Sequence, residues 1–205
     1  MESNIEKEEI KGEKEESTSD NKEFRVTLYG KTGAGKSTLC NLILGREEFK
    51  VGHQIESCTE ISESRMLFWQ NVLPVMITDT PGFCDNRKNS RAKQIAQTVK
   101  ETSLGLNIAL YLISIKGTRF DDADIRSLQS IVNLLTKAGV PHIYLVFTQG
   151  DENPTEELKN KIIEKWVKPS FAILNKNDVV LNEKNFYILR SENDDEFVDW
   201  LMNKV

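Results

Sequence analysis

The sequence holds no run of about eighteen consecutive apolar residues, so it offers no segment that reads as a membrane-spanning helix. Cysteine is scarce: Cys40, Cys58 and Cys84 are an odd set without metal-ligand spacing. That argues against a disulfide framework or a zinc site, and free thiols in a reducing compartment are the expectation. The two histidines, His53 and His142, read as a loop residue and a strand-edge residue, and neither has a catalytic companion. There is no basic excess either. The net charge is −5, and residues 1–23 hold nine acidic and four basic side chains, which leaves 23 of each sign in the remainder. The acidity therefore belongs to the start of the chain, and nothing suggests a nucleic-acid surface.

Residues 1–22 are rich in Glu, Lys and Ser and nearly free of large apolar side chains. Such a segment cannot bury enough surface to fold alone and is expected to be a disordered charged arm, too polar for a secretory signal. Residues 23–205 suit one domain with a sizeable core.

What the sequence does contain is concentrated at residues 24–45. Val26, Leu28 and Tyr29 belong to a short run suited to a strand. Gly30 opens the pattern Gly-x-x-x-x-Gly-Lys-Ser, which ends at Ser37. Leu39, Leu42 and Ile43 then recur at helical spacing, and Gly45 stands where a helix would stop. Strand, glycine-rich turn and helix together define a phosphate loop. Gly30, Gly33 and Gly35 let the backbone come close to an anion, and amides of Lys31, Thr32, Ala34 and Thr38 lie in the same turn. Lys36 would reach the β- and γ-phosphates, and Ser37 would coordinate Mg²⁺.

From Phe24 onward strands and helices alternate. The expected strands are Arg25–Tyr29, Arg65–Trp69, Leu73–Thr78, Ile108–Ile115, Ile143–Thr148 and Phe186–Leu189. Expected helices are Ser90–Ser103, with Ile95 and Val99 on its core side, and Asp121–Ala138, which opens with a cluster of capping aspartates and ends at Gly139. A third is capped by Asn153, with Pro154 as first helical residue and Pro169 ending or kinking it; the last lies near Asp194–Asn203. This alternation predicts a three-layer α/β fold with a mostly parallel six-stranded sheet. The connection between Arg65–Trp69 and Leu73–Thr78 is too short for a crossover, so that pair should be antiparallel.

Asp79-Thr80-Pro81-Gly82 follows the third strand at the sheet edge where ligands of such folds bind. Asp79 there can hold Mg²⁺ through water, and the Gly82 amide can sense the γ-phosphate. An ordinary Asp-x-Pro-Gly turn is the plainer alternative.

These motifs resemble the translation-factor-related class of phosphate-loop GTPases. Residues 30–45, with Val146-Phe147-Thr148-Gln149-Gly150-Asp151, resemble more closely the immunity-associated GTPases, the plant avirulence-induced type and the animal GIMAP proteins. Septins and chloroplast translocon receptors are more distant relatives. The segment Leu112–Asp124, with Gly117-Thr118-Arg119-Phe120, resembles that family's conserved box.

The resemblance implies a GTP-binding domain over residues 23–205, with GTP or GDP as ligand and Mg²⁺ as cofactor. It makes Thr59 the switch-one residue that closes on Mg²⁺ and the γ-phosphate; a surface-loop threonine is the other reading. Asp151 would accept hydrogen bonds from guanine N1–H and the 2-amino group, which adenine cannot offer. Thr148 and Gln149 stand where the commonest motif has Asn and Lys, a departure from the usual base site. Arg190-Ser191-Glu192-Asn193 does not match the family's last base loop, and no contact is assigned there.

For catalysis the resemblance names Lys36, Thr59 and Arg119. Phe83 replaces the water-orienting glutamine of Ras-type enzymes, so the isolated domain should turn over slowly. In the family, GTP-bound domains pair, and an arginine from the conserved box reaches the partner's site. Arg119 matches it, and such an arginine finger is worth about a thousandfold or more. A solvated side chain ahead of a helix is the other reading of Arg119. Two rival functions remain: a GTP-gated oligomeric scaffold at a membrane with negligible turnover, and an ATP-using enzyme, which Asp151 argues against. The expected partners are GTP or GDP and a second copy of the chain, not nucleic acid. The expected location is cytoplasmic, with membrane contact only through regions outside this chain.

Overall fold

The apolar runs form the centre of a six-stranded sheet. In the computed structural model of the chain, the described residues are 23–51, 61–82, 90–116, 120–140, 142–150, 155–175, 185–190 and 194–205. The strands are β1 (Phe24–Gly30), β2 (Glu63–Trp69), β3 (Leu73–Asp79), β4 (Ile108–Ser114), β5 (His142–Thr148) and β6 (Phe186–Ile188), in the order β2-β3-β1-β4-β5-β6. All neighbours are parallel except β2 and β3. Gln70 and Asn71 both take left-handed backbone conformations in the tight turn between those two, which fits the right-handed twist of a hairpin.

The inner strands are buried on both faces, as their unbroken apolar character predicts. Val26 and Leu28 of β1, Leu110 and Leu112 of β4 and Val146 of β5 point to one side. They meet helix α1 (Lys36–Leu44) through Leu39 and Ile43, and the C-terminal helix (Asp195–Met202) through Phe197 and Leu201. Tyr29, Tyr111, Ile113, Leu145 and Phe147 point to the other side. There they meet α3 (Asp122–Lys137) through Leu128, Ile131 and Leu135. Trp166 reaches the same core from the α4 (Glu156–Ile162) to α5 (Lys168–Asn175) run. The C-terminal helix is α6. The three-layer α/β prediction holds, and strand ends differ from expectation by one or two residues.

Three local expectations are corrected. Thr155, rather than Asn153, caps α4: its hydroxyl accepts from the Leu158 amide, so the helix starts after Pro154. Of the two outcomes expected at Pro169, ending or kinking, the first does not occur: the helix runs on over Lys168–Asn175. A π-helical turn at Ile163–Val167 precedes it, and the Lys168 amide reaches back to the Ile163 carbonyl. The wider turn makes room for a ring that would clash with the carbonyl four residues back. On α2 (Ser90–Ser103), Val99 is 50% exposed while Thr98 and Glu101 are buried. These two polar side chains lie against Tyr29, whose phenol pKa is pushed up by burial and by the Glu101 charge. A buried hydroxyl draws polar neighbours to that helix face, and the apolar periodicity misses this.

Candidate nucleotide site

The carboxyl ends of β1, β3 and β5 open onto one edge of the sheet. At Gly30 the chain leaves β1 with φ +149°, and a Cβ there would lie 2.6 Å from the Leu112 carbonyl oxygen. Only glycine lets the loop start so close to β4. Gly33 and Gly35 take left-handed φ values of 79° and 84°, and the Ala34 amide bonds to the Lys31 carbonyl at 3.1 Å. Gly35 caps α1 without a side chain, and no acidic residue occupies that helix's first turn. The first amides, through Lys36, Ser37 and Thr38, therefore present the positive end of the helix dipole to an anion.

Lys36 is buried, and its Nζ donates to the Gly30 and Lys31 carbonyls at 3.2 and 3.1 Å. Burial pulls its pKa below the ordinary lysine value, while the Asp79 carboxylate partly opposes that. This is a cation held inside the loop where a phosphate would complete its coordination.

The Ser37 hydroxyl donates to Asp79 Oδ2 at 2.6 Å. Asp79 ends β3, and Thr80 then ties the following loop to β1 through a 2.6 Å bond from its hydroxyl to the Leu28 carbonyl. Gly82 is pressed onto the phosphate loop: a Cβ there would lie 2.6 Å from Thr32 Cα. The paired hydroxyl and carboxylate oxygens of Ser37 and Asp79 are the hard donors that Mg²⁺ takes alongside phosphate oxygens. The donor chemistry fits that ion.

On the β5 side, the buried Thr148 hydroxyl donates to the Ala34 carbonyl at 2.8 Å. Gln149, in a left-handed conformation, donates from Nε2 to the Gly33 carbonyl at 2.9 Å and accepts from the Ser114 hydroxyl at 2.6 Å. Both predicted residues thus brace the phosphate loop from the end of β5. Thr59, Arg119 and Asp151, together with Phe83, lie outside the described residues.

Sequence reasoning missed several supports. Thr80 and Ser114 lie inside the Asp79–Gly82 motif and the Leu112–Asp124 segment, which assign them no role of their own; only their positions at strand ends on the ligand edge could have flagged them. Asp121 and Asp124 read as helix-capping residues, and they also pair with Lys31.

Sheet order, phosphate loop and the Ser37–Asp79 pair define a phosphate-loop nucleotide-binding domain with the GTPase fold. A model of the AIG1 family matches residues 24–203, and the chain belongs to that family. Immune-associated nucleotide-binding protein 9 of Arabidopsis thaliana is 25% identical over 174 residues, covering 82% of this chain and 50% of that protein. Among solved structures, an Aquifex aeolicus Era variant bound to GDP and aluminium fluoride superposes with a TM-score of 0.65 at 17% identity, covering 89% of this chain and 57% of Era. A dimerization-deficient mutant of Toc33 from Arabidopsis thaliana gives a TM-score of 0.59 at 16% identity, covering 81% and 70%. The chain spans about half or less of the length of the curated relatives it matches. No helix among the described residues is long and apolar enough to cross a membrane.

Proposed function

We propose that residues 23–205 are a guanine-nucleotide switch that binds GTP with Mg²⁺, hydrolyses it slowly to GDP, and turns over faster when two copies pair. The observation that carries this reading is the Ser37–Asp79 pair at 2.6 Å beside the buried Lys36 ammonium. Oxygens suited to Mg²⁺ and a phosphate-seeking cation are thereby brought together at one edge of the sheet, from the phosphate loop and the end of β3.

In this reading the amides from Gly30 to Thr38 cradle the phosphates, and Lys36 offsets charge that develops on the leaving oxygen. Ser37, Asp79 and, once switch one closes, Thr59 would hold Mg²⁺, which would supply positive charge against the triphosphate oxygens. Thr148 and Gln149 hold the base side of the site against the phosphate loop, and Asp151 selects guanine over adenine by its acceptor pair. Phe83 can neither donate to nor accept from a water, which keeps the lone domain slow. Arg119, supplied by the paired copy, adds the missing positive charge. The Toc33 neighbour, a dimerization-deficient mutant, supports looking for such pairing. The domain is proposed to work in the cytoplasm, with any membrane contact made through regions beyond it.

The test is the GTPase rate per molecule against protein concentration, for wild type and Arg119→Ala. Specific activity should rise with concentration in wild type and stay flat in the variant. Low, flat rates in both, with GTP still bound, would replace the enzyme by a GTP-gated scaffold.

A further inference from the structure

Lys31 is the second residue of the phosphate loop, and its side chain lies on the start of α3. Its Nζ is 3.0 Å from Asp124 Oδ1 and 3.6 Å from Asp121 Oδ1. The same two carboxylates build the α3 capping box: Asp121 accepts from the Asp124 amide at 2.8 Å, and Asp124 accepts from the Asp121 amide at 3.1 Å. Each therefore caps the helix and holds the ammonium. The Lys31 carbonyl meanwhile accepts from Lys36 Nζ, so the Lys31 side chain is rooted in the phosphate cradle. A flexible four-carbon stem rooted there can serve either the carboxylates or a bound phosphate.

We propose that Lys31 is a second phosphate-directed cation, and that the α3 carboxylates set how available it is to a triphosphate. This rests on the nucleotide reading above. The Lys31 side chain is 32% exposed, Asp121 52% and the nearer Asp124 19%, so water reaches the ammonium and the outer carboxylate while the inner one is more sheltered. An ammonium that water reaches is held only weakly by each carboxylate, so a triphosphate with several negative charges can compete for it. Removing the Asp124 charge frees Lys31, but it also lifts a direct repulsion between carboxylate and phosphate. Only a cycle with Lys31 removed separates the two effects.

The experiment measures affinity for the β,γ-imido analogue of GTP and for GDP, by calorimetry, in wild type, Asp124→Asn, Lys31→Met and the double variant. Asparagine keeps an acceptor for the Asp121 amide, and circular dichroism checks that the helix content is unchanged. Asp124→Asn should raise the triphosphate-over-diphosphate affinity ratio about two- to fivefold. In the Lys31→Met background the same substitution should leave the ratio unchanged. An equal gain in both backgrounds, or no gain in either, overturns the role of Lys31. If wild type binds no guanine nucleotide, the functional reading falls, and inorganic tripolyphosphate titrated into the same four proteins decides the Lys31 claim separately. A gain on Asp124→Asn that vanishes with Lys31→Met supports the claim; no gain, or no binding of tripolyphosphate, overturns it.

Discussion

The Thr148 hydroxyl donates to the Ala34 carbonyl across 2.8 Å, joining residues 114 positions apart in the buried wall of the phosphate loop. Together with the Gln149 bond to Gly33, it sets the spacing between the loop that would cradle phosphate and the strand end that would meet the base.

Thr148→Val keeps the shape and removes the donor, which leaves the Ala34 carbonyl unpaired in a buried position. Loss of about 1–3 kcal/mol in urea unfolding is expected. Dissociation of a fluorescent GDP analogue should speed up, because both sides of the site lose their common brace. Unchanged stability and release together would show that the bond does not brace the site.

The loop glycines separate steric need from conformational need. At Gly33, φ is +79° and a Cβ would touch nothing within 4 Å, so Gly33→Ala should cost only the left-handed strain, about 1 kcal/mol. At Gly30 the Cβ would meet the Leu112 carbonyl at 2.6 Å, and β1 and β4 are locked in register there. Gly30→Ala should cost more, by roughly 1–3 kcal/mol of overpacking on top of strain. Thermal melts of the two variants, side by side, check the ranking.

The end of β6 carries an acid-sensitive clasp. Asp194 is buried and accepts from the Arg190 amide, Nε and Nη2 and from the Tyr187 hydroxyl. Burial raises the carboxyl pKa, but the Arg190 donors more than reverse this and hold it below the ordinary aspartate value. Its stabilisation is therefore full above the ordinary value, about 4, and is lost as pH falls through the depressed folded value. Asp194→Asn should cost about 2–3 kcal/mol at neutral pH, with the gap to wild type closing in acid. The neighbouring Tyr187 phenol is pushed up to about 12 by burial and the Asp194 charge; in the variant it should titrate lower.

Phosphate affinity should carry an alkaline signature from Lys36. Burial lowers the pKa of the empty-state ammonium, and a bound phosphate favours its charged form. GDP binding should weaken as pH rises through that lowered value, by at most about tenfold per pH unit, and start to do so below the ordinary lysine value of about 10.4. Lys36→Arg, whose guanidinium stays charged, should lack that step. A wild-type profile matching Lys36→Arg would show that Lys36 does not titrate against phosphate.

Much of the architecture was legible because long buried strands write themselves as unbroken apolar runs. The Ile108–Ser114 and His142–Thr148 strands needed only that pattern, and the α3 boundaries followed from Asp121 and the glycine after Ala138. The phosphate loop was legible for a different reason. Its chemistry needs glycine, lysine and serine at fixed spacing, so the string carries the geometry. By contrast, Pro169 inside a helix and the polar inner face of α2 depend on what lies across the gap. A π turn relieves the proline, and Tyr29 draws Thr98 and Glu101 inward.

The sequence alone determined the sheet, the phosphate loop and the Asp79–Gly82 motif, because local propensity and backbone chemistry act within a few residues. Only the tertiary structure decided which distant side chains brace that loop. Thr148, Gln149 and Ser114 come from β5 and β4, and Asp121 and Asp124 from α3. Hydrogen bonds and ion pairs of that kind have no period and no fixed spacing along the chain. They exist only once parallel strands have brought their carboxyl ends to one edge.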